Sequence, residues 1–167
     1  MKPAPFSYYR ATSVEDAITA LSGADGMAAV LAGGQSLVPM LNLRLSPVDH
    51  LIDLRPITAL SRQEETPEAI CYGALTTHAA FEDGAVPDGT NGLMRYAAAH
   101  IAYRAVRNRG TLGGALALAD PRRRLAYHGG CARCIGHTDR PRRSAIPGHC
   151  RICCRALLHS DRRTRNN

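Results

Sequence analysis

The chain has no tryptophan, and aromatic residues make up only 5% of it. So sparse an aromatic set excludes the stacking platforms on which single-stranded nucleic acids lie. Nowhere do roughly 18 apolar residues run together, which excludes a membrane-spanning helix. The opening Met1-Lys2-Pro3-Ala4-Pro5 carries no apolar stretch behind its lysine, so no secretory leader is expected and the expected location is cytoplasmic. The glycines never fall into G-x-G-x-x-G, and none leads into a P-loop lysine, so Rossmann and Walker-type assignments are excluded. What remains is a chain of 167 residues, 45% hydrophobic and 21% charged. That is enough apolar material for one domain or two small lobes.

Lysine is also nearly absent, with Lys2 the single one, and its scarcity exposes a sharp break in composition. Residues 1–121 hold 9 basic and 12 acidic side chains, a net −3. Residues 122–167 hold 12 arginines against Asp139 and Asp161, a net +10. Five of the six cysteines and four of the seven histidines lie in those last 46 residues. The overall charge of +7 therefore describes neither part, and no partner follows from it.

The first part alternates short helical and strand patterns, which indicates a mixed α/β domain. Ser13 with Asp16 three residues on predicts a capped helix start, and Val14, Ala17, Ile18 and Leu21 give it one apolar face. Gly23 is its expected stop. Met27 to Ala32 reads as a buried strand. Leu37 to Leu45 reads as a short helix with Pro39 near its start. Further strands are expected at Leu51–Leu54 and Ile70–Ala74. Thr76 or Thr77 is expected to cap a short helix through Phe81, with His78 on its surface. Residues 83–91 form a Gly/Pro/Asp-rich loop, and Leu93 to Val106 reads as one helix.

Two glycine clusters stand out. Gly33-Gly34-Gln35-Ser36 follows a strand, and such a stretch can turn successive backbone N–H groups toward a phosphate that no Cβ keeps away. A plain tight turn is the other reading. Arg107-Asn108-Arg109-Gly110-Thr111-Leu112-Gly113-Gly114-Ala115 repeats the theme with arginines upstream, either as a second anion cradle or as a surface loop with solvated arginines. Two such loops in one small domain suggest a ligand with an extended diphosphate.

Together, Leu31-Ala32-Gly33-Gly34-Gln35-Ser36-Leu37-Val38-Pro39-Met40 and Arg107 to Gly114 resemble the two FAD loops of the flavin-binding medium subunits of molybdenum hydroxylases. That family includes the carbon monoxide dehydrogenase medium subunit and the flavin domain of xanthine dehydrogenase. Lys2-Pro3-Ala4-Pro5-Phe6, Tyr72-Gly73-Ala74-Leu75-Thr76-Thr77-His78-Ala79 and Ala119-Asp120-Pro121 fit it too, so the resemblance spans residues 1–121. It implies an α+β, two-lobed FAD-binding domain of the molybdopterin dehydrogenase type, incomplete at its C-terminal side. The implied divisions are an N-terminal lobe over 1–55, the start of a second mixed lobe over 56–121, and a tail over 122–167. The implied cofactor-binding residues are Ala32, Gly33, Gly34, Gln35 and Ser36 with Thr111, Leu112, Gly113, Gly114 and Ala115. The implied cofactor is FAD, and no residue of the chain is expected to do substrate chemistry. The implied partners are an iron-sulfur small subunit and a molybdopterin large subunit, with no nucleic acid and no membrane span.

After Pro121 the resemblance stops. Where the family continues with two small residues and an acid, Arg122-Arg123-Arg124 stand, with Arg124 in the acid's place. Permitted codons for 122–132, read one base later, restore small-small-acid and an apolar strand. The stretch from Gly148 to Arg165 behaves likewise. One extra cytosine at the Pro121 codon would account for both, so the tail is expected to be out of frame. On that expectation the second lobe lacks sheet partners, exposes an open edge, folds poorly and binds flavin weakly or not at all. The competing reading is a small zinc-ribbon nucleic-acid-binding protein. Cys131-x2-Cys134 and Cys150-x2-Cys153 have the spacing of a tetrahedral site, and twelve arginines suit a phosphate backbone.

Overall fold

The computed structural model describes residues 2–67 and 69–118, together with the strands Cys134–Gly136 and Arg151–Arg155. The chain divides into two compact units, Met1–Ala59 and Leu60–Asn167. Both mix helices with sheet, in the α+β manner expected.

The first unit runs β1 (Ser7–Arg10), α1 (Val14–Ser22), β2 (Ala28–Leu31), α2 (Leu37–Asn42) and β3 (His50–Asp53). Its three strands are parallel in the order β1-β3-β2, so β3 is central and largely buried. The Ser13 side chain accepts from the Asp16 N–H at 3.0 Å, which starts α1 as the sequence predicts. The return half of the capping box lands one residue earlier than expected, because Asp16 accepts from the N–H and hydroxyl of Thr12. Gly23 closes the helix onto Thr19. Leu31, Leu41, Val48 and Leu51 form the core, with Phe6, Ala29 and Leu37 packed against them. Strand β1 carries no sequence signal because all four of its residues are exposed, so it has no apolar face to alternate.

Asp53 closes β3 and is 1% exposed. It accepts from the Arg55 N–H at 2.9 Å, from Arg55 Nε at 2.8 Å and Nη2 at 2.7 Å, and from the Tyr8 hydroxyl. Burial alone would raise its pKa, but the bonds from Arg55 and Tyr8 outweigh that and bring it down to about 2.

The second unit opens with a 3₁₀ turn, Thr58–Ser61, at the division, then β4 (Gln63–Glu65) and β5 (Ala69–Gly73). Next come α3 (His78–Glu82), α4 (Leu93–Ala99), α5 (Arg104–Arg107) and α6 (Leu112–Leu118), then β6 (Cys134–Gly136) and β7 (Arg151–Arg155). Strand β4 is antiparallel to β5, while β7 is parallel to both β5 and β6 in the order β4-β5-β7-β6. The core gathers Tyr72, Phe81, Met94, Ala97, Ala98 and Leu112. Tyr72 meets Phe81 edge-on at 4.9 Å and donates its hydroxyl to the Pro87 carbonyl at 2.6 Å, so the buried phenol is satisfied.

Two expectations are corrected here. The single helix over Leu93–Val106 is broken into α4 and α5, with Ala102 at φ +40° between them. The Arg107 guanidinium takes the freed carbonyls of Ile101 and Ala102 at 2.9 and 2.8 Å, which makes the break affordable. The open edge expected beside β5 is occupied by β7, with Cys71 and Cys153 as Cα partners. A strand ladder is built from backbone groups, so an Arg-Ile-Cys-Cys-Arg segment can fill it.

The carboxylate of Asp53 sets a pH dependence. Its folded pKa lies near 2 and its unfolded pKa is about 3.9. Its contribution is therefore fully present above pH about 4 and disappears as pH falls toward about 2. Urea unfolding should show Asp53→Asn less stable than the parent by about 2 kcal/mol near neutrality, with the gap closing at low pH. A gap that stays constant with pH would place the effect elsewhere than in the carboxylate.

Candidate functional site

In the first unit the chain leaves β2 at Leu31, which is in register with Asp53, and enters Ala32-Gly33-Gly34-Gln35-Ser36. The loop thus stands at the carboxyl ends of parallel strands, where open α/β sheets receive ligands. Gly34 has φ +72°, and a Cβ there would lie 3.1 Å from Leu31 Cδ1 and 3.2 Å from Val38 Cγ2. The left-handed turn and the tight packing both require glycine. The Gly34 carbonyl accepts from the Val38 N–H at 3.1 Å, and the Gly33 carbonyl accepts from Gln35 Nε2 at 3.2 Å. Among the described residues nothing accepts from the N–H groups of Gly33, Gly34 or Gln35. All five loop residues are half-buried. Three successive N–H groups without a described acceptor are chemically compatible with an anionic group such as a diphosphate.

The second loop is built differently. Thr111 forms an isolated antiparallel bridge with Thr77. On either side of it, the His78 N–H donates to the Gly110 carbonyl and the Leu112 N–H donates to the Thr76 carbonyl, both at 2.9 Å. The Gly113 N–H donates to the Ala74 carbonyl at 2.9 Å, and the Gly114 N–H to the Thr111 hydroxyl at 3.2 Å. Three successive N–H groups of the glycine cluster are therefore used inside the unit. The expectation that they line an anion cradle is corrected on that point. Gly113 is glycine because a Cβ would lie 2.6 Å from Ala74 Cβ and 2.8 Å from its carbonyl oxygen. Among the described residues, the Thr111 N–H and the Arg109 guanidinium donate to no protein acceptor. Ala115, buried in α6, donates its N–H to the Thr111 carbonyl at 3.0 Å.

The arginines upstream separate by role. Arg107 grips both oxygens of Glu82 at 2.7 and 2.9 Å, while Arg104 holds Asp83 at 2.5 and 2.6 Å and reaches Glu82 at 3.0 Å. The Arg107 bonds keep the Glu82 carboxyl below its usual range. Both arginines thus tie α5 to the end of α3 rather than awaiting an anion, and the exposed Arg109 is the one left over.

His78 corrects another expectation. Thr77 does cap α3, accepting from the Ala80 N–H at 3.2 Å, but His78 is 1% exposed rather than on the surface. The absence of a side chain at Gly110 makes room for it, since a Cβ there would lie 2.9 Å from His78 Cδ2. The sequence held this signal as a pairing of Thr-Thr-His with Gly-Thr-Leu, which no single-motif reading detects.

The four cysteines of the zinc reading have side chains outside the described residues, as does Asp120. The strand register sets Cys134 against Ile152 and Cys153 against Ile135, so the two cysteines are one position out of step. Among the described residues no cluster of His, Cys, Asp and Glu could hold a metal, and no helix is long and apolar enough to cross a membrane.

The different jobs of the glycines can be measured. Gly113→Ala is expected to destabilise the chain by about 2 kcal/mol through overpacking on Ala74, and Gly34→Ala by about 1 kcal/mol through its left-handed backbone. Urea unfolding followed by far-UV circular dichroism measures both. A neutral Gly113→Ala would show that α6 does not rest on Ala74.

Residues 4–128 match the model of the FAD binding domain in molybdopterin dehydrogenase. The subunit alpha of the 6-hydroxypseudooxynicotine dehydrogenase complex of Paenarthrobacter nicotinovorans is 42% identical over 120 residues, which is 72% of this chain and 40% of that one. The carbon monoxide dehydrogenase medium chain of Hydrogenophaga pseudoflava is 36% identical over 121 residues, 72% of this chain and 42% of that one. Among solved structures, carbon monoxide dehydrogenase from Hydrogenophaga pseudoflava superposes with a TM-score of 0.69 at 37% identity, covering 72% of this chain and 42% of that one. Quinoline 2-oxidoreductase from Pseudomonas putida 86 superposes with a TM-score of 0.64 at 39% identity, over the same shares. The chain spans about two-fifths of the length of the curated relatives it matches. With the donor-lined loop after β2 and the braced Thr111 turn, these likenesses place the chain in the family of FAD-binding domains of molybdopterin dehydrogenases, the medium subunits of molybdenum hydroxylases.

Proposed function

We propose that the chain is the leading part of an electron-transferring medium subunit, one that works in the cytoplasm between an iron-sulfur small subunit and a molybdopterin large subunit. The observation that carries this reading is the set of N–H groups at Gly33, Gly34 and Gln35 that, among the described residues, meet no acceptor, on the carboxyl edge of a parallel sheet. FAD, when bound, supplies the redox chemistry, accepting electrons and passing them on. The chain's own residues bind and orient it. Ala32, Gly33, Gly34, Gln35 and Ser36 form the first FAD loop, and Thr111, Leu112, Gly113, Gly114 and Ala115 the second. Within the second, Thr111, buried but with its N–H donating to no described acceptor, would meet the ligand, Arg109 nearby adds a positive charge, and Leu112, Gly113 and Gly114 hold the turn in shape. No nucleophile or general base is assigned, because the substrate would be oxidised elsewhere in the complex.

The tail over 122–167 is best explained as translation out of frame. Its support is the change from net −3 to net +10 at Pro121, together with a family likeness that ends at residue 128, seven residues into the arginine-rich stretch. A chain of these 167 residues carries both proposed FAD loops within about two-fifths of the relatives' length, and weak flavin retention is expected of it.

Resequencing the coding DNA across the Pro121 codon tests the tail, and a flavin assay tests the function. The neighbouring frame is expected to be open beyond that codon. The chain translated from it is expected to purify with one FAD each, while the 167-residue chain retains far less. Stops closing the neighbouring frame, or stoichiometric visible flavin absorbance on the 167-residue chain, would overturn the out-of-frame account. No flavin on either chain would overturn the FAD assignment.

A further inference from the structure

We infer that His78 is the positioning residue of the second FAD loop, its buried imidazole holding the Gly110-Thr111-Leu112 turn in the shape that presents the Thr111 N–H. The inference rests on the FAD reading above and assigns a job to a side chain that touches no diphosphate in it. Three observations converge on the ring. His78 is 1% exposed although it is the first residue of a five-residue helix. Its own N–H donates to the Gly110 carbonyl at 2.9 Å, and the next ladder bond runs from Leu112 to Thr76. The edge of its imidazole lies against the bare Gly110 Cα, so that a Cβ there would sit 2.9 Å from Cδ2 and 3.3 Å from Nε2.

The physical consequence is a two-sided clamp. The backbone bonds of this turn, from His78 to Gly110, Leu112 to Thr76, Gly113 to Ala74 and Gly110 to Val106, flank one isolated bridge rather than a sheet, so a short turn can still open locally. A planar ring filling the space under Gly110 removes the inward collapse that would rotate the Thr111 N–H away from the ligand. A ring in that place also requires glycine at 110, since Val106 O already lies 3.0 Å from the would-be Cβ on the other side. His78 and Gly110 are therefore one device. Arg109 and Thr111, on either side of Gly110, inherit their direction from it.

The test uses the full 167-residue chain and reads amide hydrogen exchange together with FAD titration by fluorescence quenching. In His78→Ala the amides of Leu112 and Gly113 are expected to lose protection by about tenfold or more, while that of Tyr72 in β5 keeps its protection. Gly110→Ala approaches the same contact from the other side and is expected to loosen the same two amides with His78 intact. His78→Gln, which keeps a planar polar end of similar reach, should recover most of the protection lost in His78→Ala. FAD affinity should follow the same order, falling about tenfold in His78→Ala, as displacements of a supporting group commonly cost. Unchanged protection at Leu112 and Gly113 in both His78→Ala and Gly110→Ala would overturn the inference. So would a uniform loss across the second unit, which marks a merely structural residue. Absence of saturable FAD binding on the parent chain matches the weak retention expected of it and leaves the FAD assignment to the two-chain comparison above, while the exchange pattern still decides whether His78 braces the turn.

Discussion

In the second unit Gly113 packs against the backbone at Ala74 too closely for any side chain, and much of the local architecture follows from that contact. With 2.6 Å between a would-be Cβ and Ala74 Cβ, α6 can begin only where a glycine removes the obstruction. Once it begins there, the Gly113 N–H meets the Ala74 carbonyl and the Leu112 N–H meets the Thr76 carbonyl. Thr111 is then left as the bridge partner of Thr77, with its hydroxyl capping α6 through Gly114. The helix start, the bridge and the turn form one hydrogen-bonded object, so the glycines serve the packing of backbone on backbone before they serve any ligand.

Charge is organised on the same economy. In each unit a carboxylate is surrounded by fixed donors, and the arginines near it are committed. Asp53 binds Arg55 through two nitrogens and Tyr8 through its hydroxyl, which fastens the end of β3 to β1. Glu82 binds Arg107 through both oxygens, and the same guanidinium caps the carbonyls at Ile101 and Ala102 where α4 stops. A planar fork with five donors can do both jobs at once, which lysine could not. The arginine count upstream of the second loop thus overstates the charge available to an anion by two residues of three, leaving Arg109.

This explains which parts of the molecule were legible in the sequence. Caps and turns were, because Ser13, Thr77 and Gly23 act on neighbours within four residues and leave a local signature. The strands β2, β3 and β5 were, because each is buried enough to read as an apolar run. Strand β1 was not, since an exposed parallel edge strand has neither an apolar run nor an alternation. The break between α4 and α5 was hidden because its cause is Glu82, more than twenty residues away along the chain and acting through Arg107. The turn at Gly33-Gly34 was readable from the glycine pair, which alone allowed a plain tight turn as well as an anion cradle. The mechanics of the second glycine cluster were not readable, because the partners of its N–H groups lie at Ala74 and Thr76, far away along the chain.

The tail presents the same distinction between backbone and side chain in its strongest form. Strand β5 offers one ladder to β4 and another to β7, and the register Ala69↔Arg151 through Gly73↔Arg155 uses only main-chain groups. A sheet edge does not test the lineage of the strand that joins it. A segment translated in any frame can therefore fill the edge, provided it avoids proline and spans the five residues, as Arg151–Arg155 does. Side-chain packing, not the ladder, gives a lobe most of its stability. Pairing at β5 and family likeness up to residue 128 are thus independent facts. The ladder needs only main-chain geometry, whereas the match marks the family, and only the match bears on flavin chemistry.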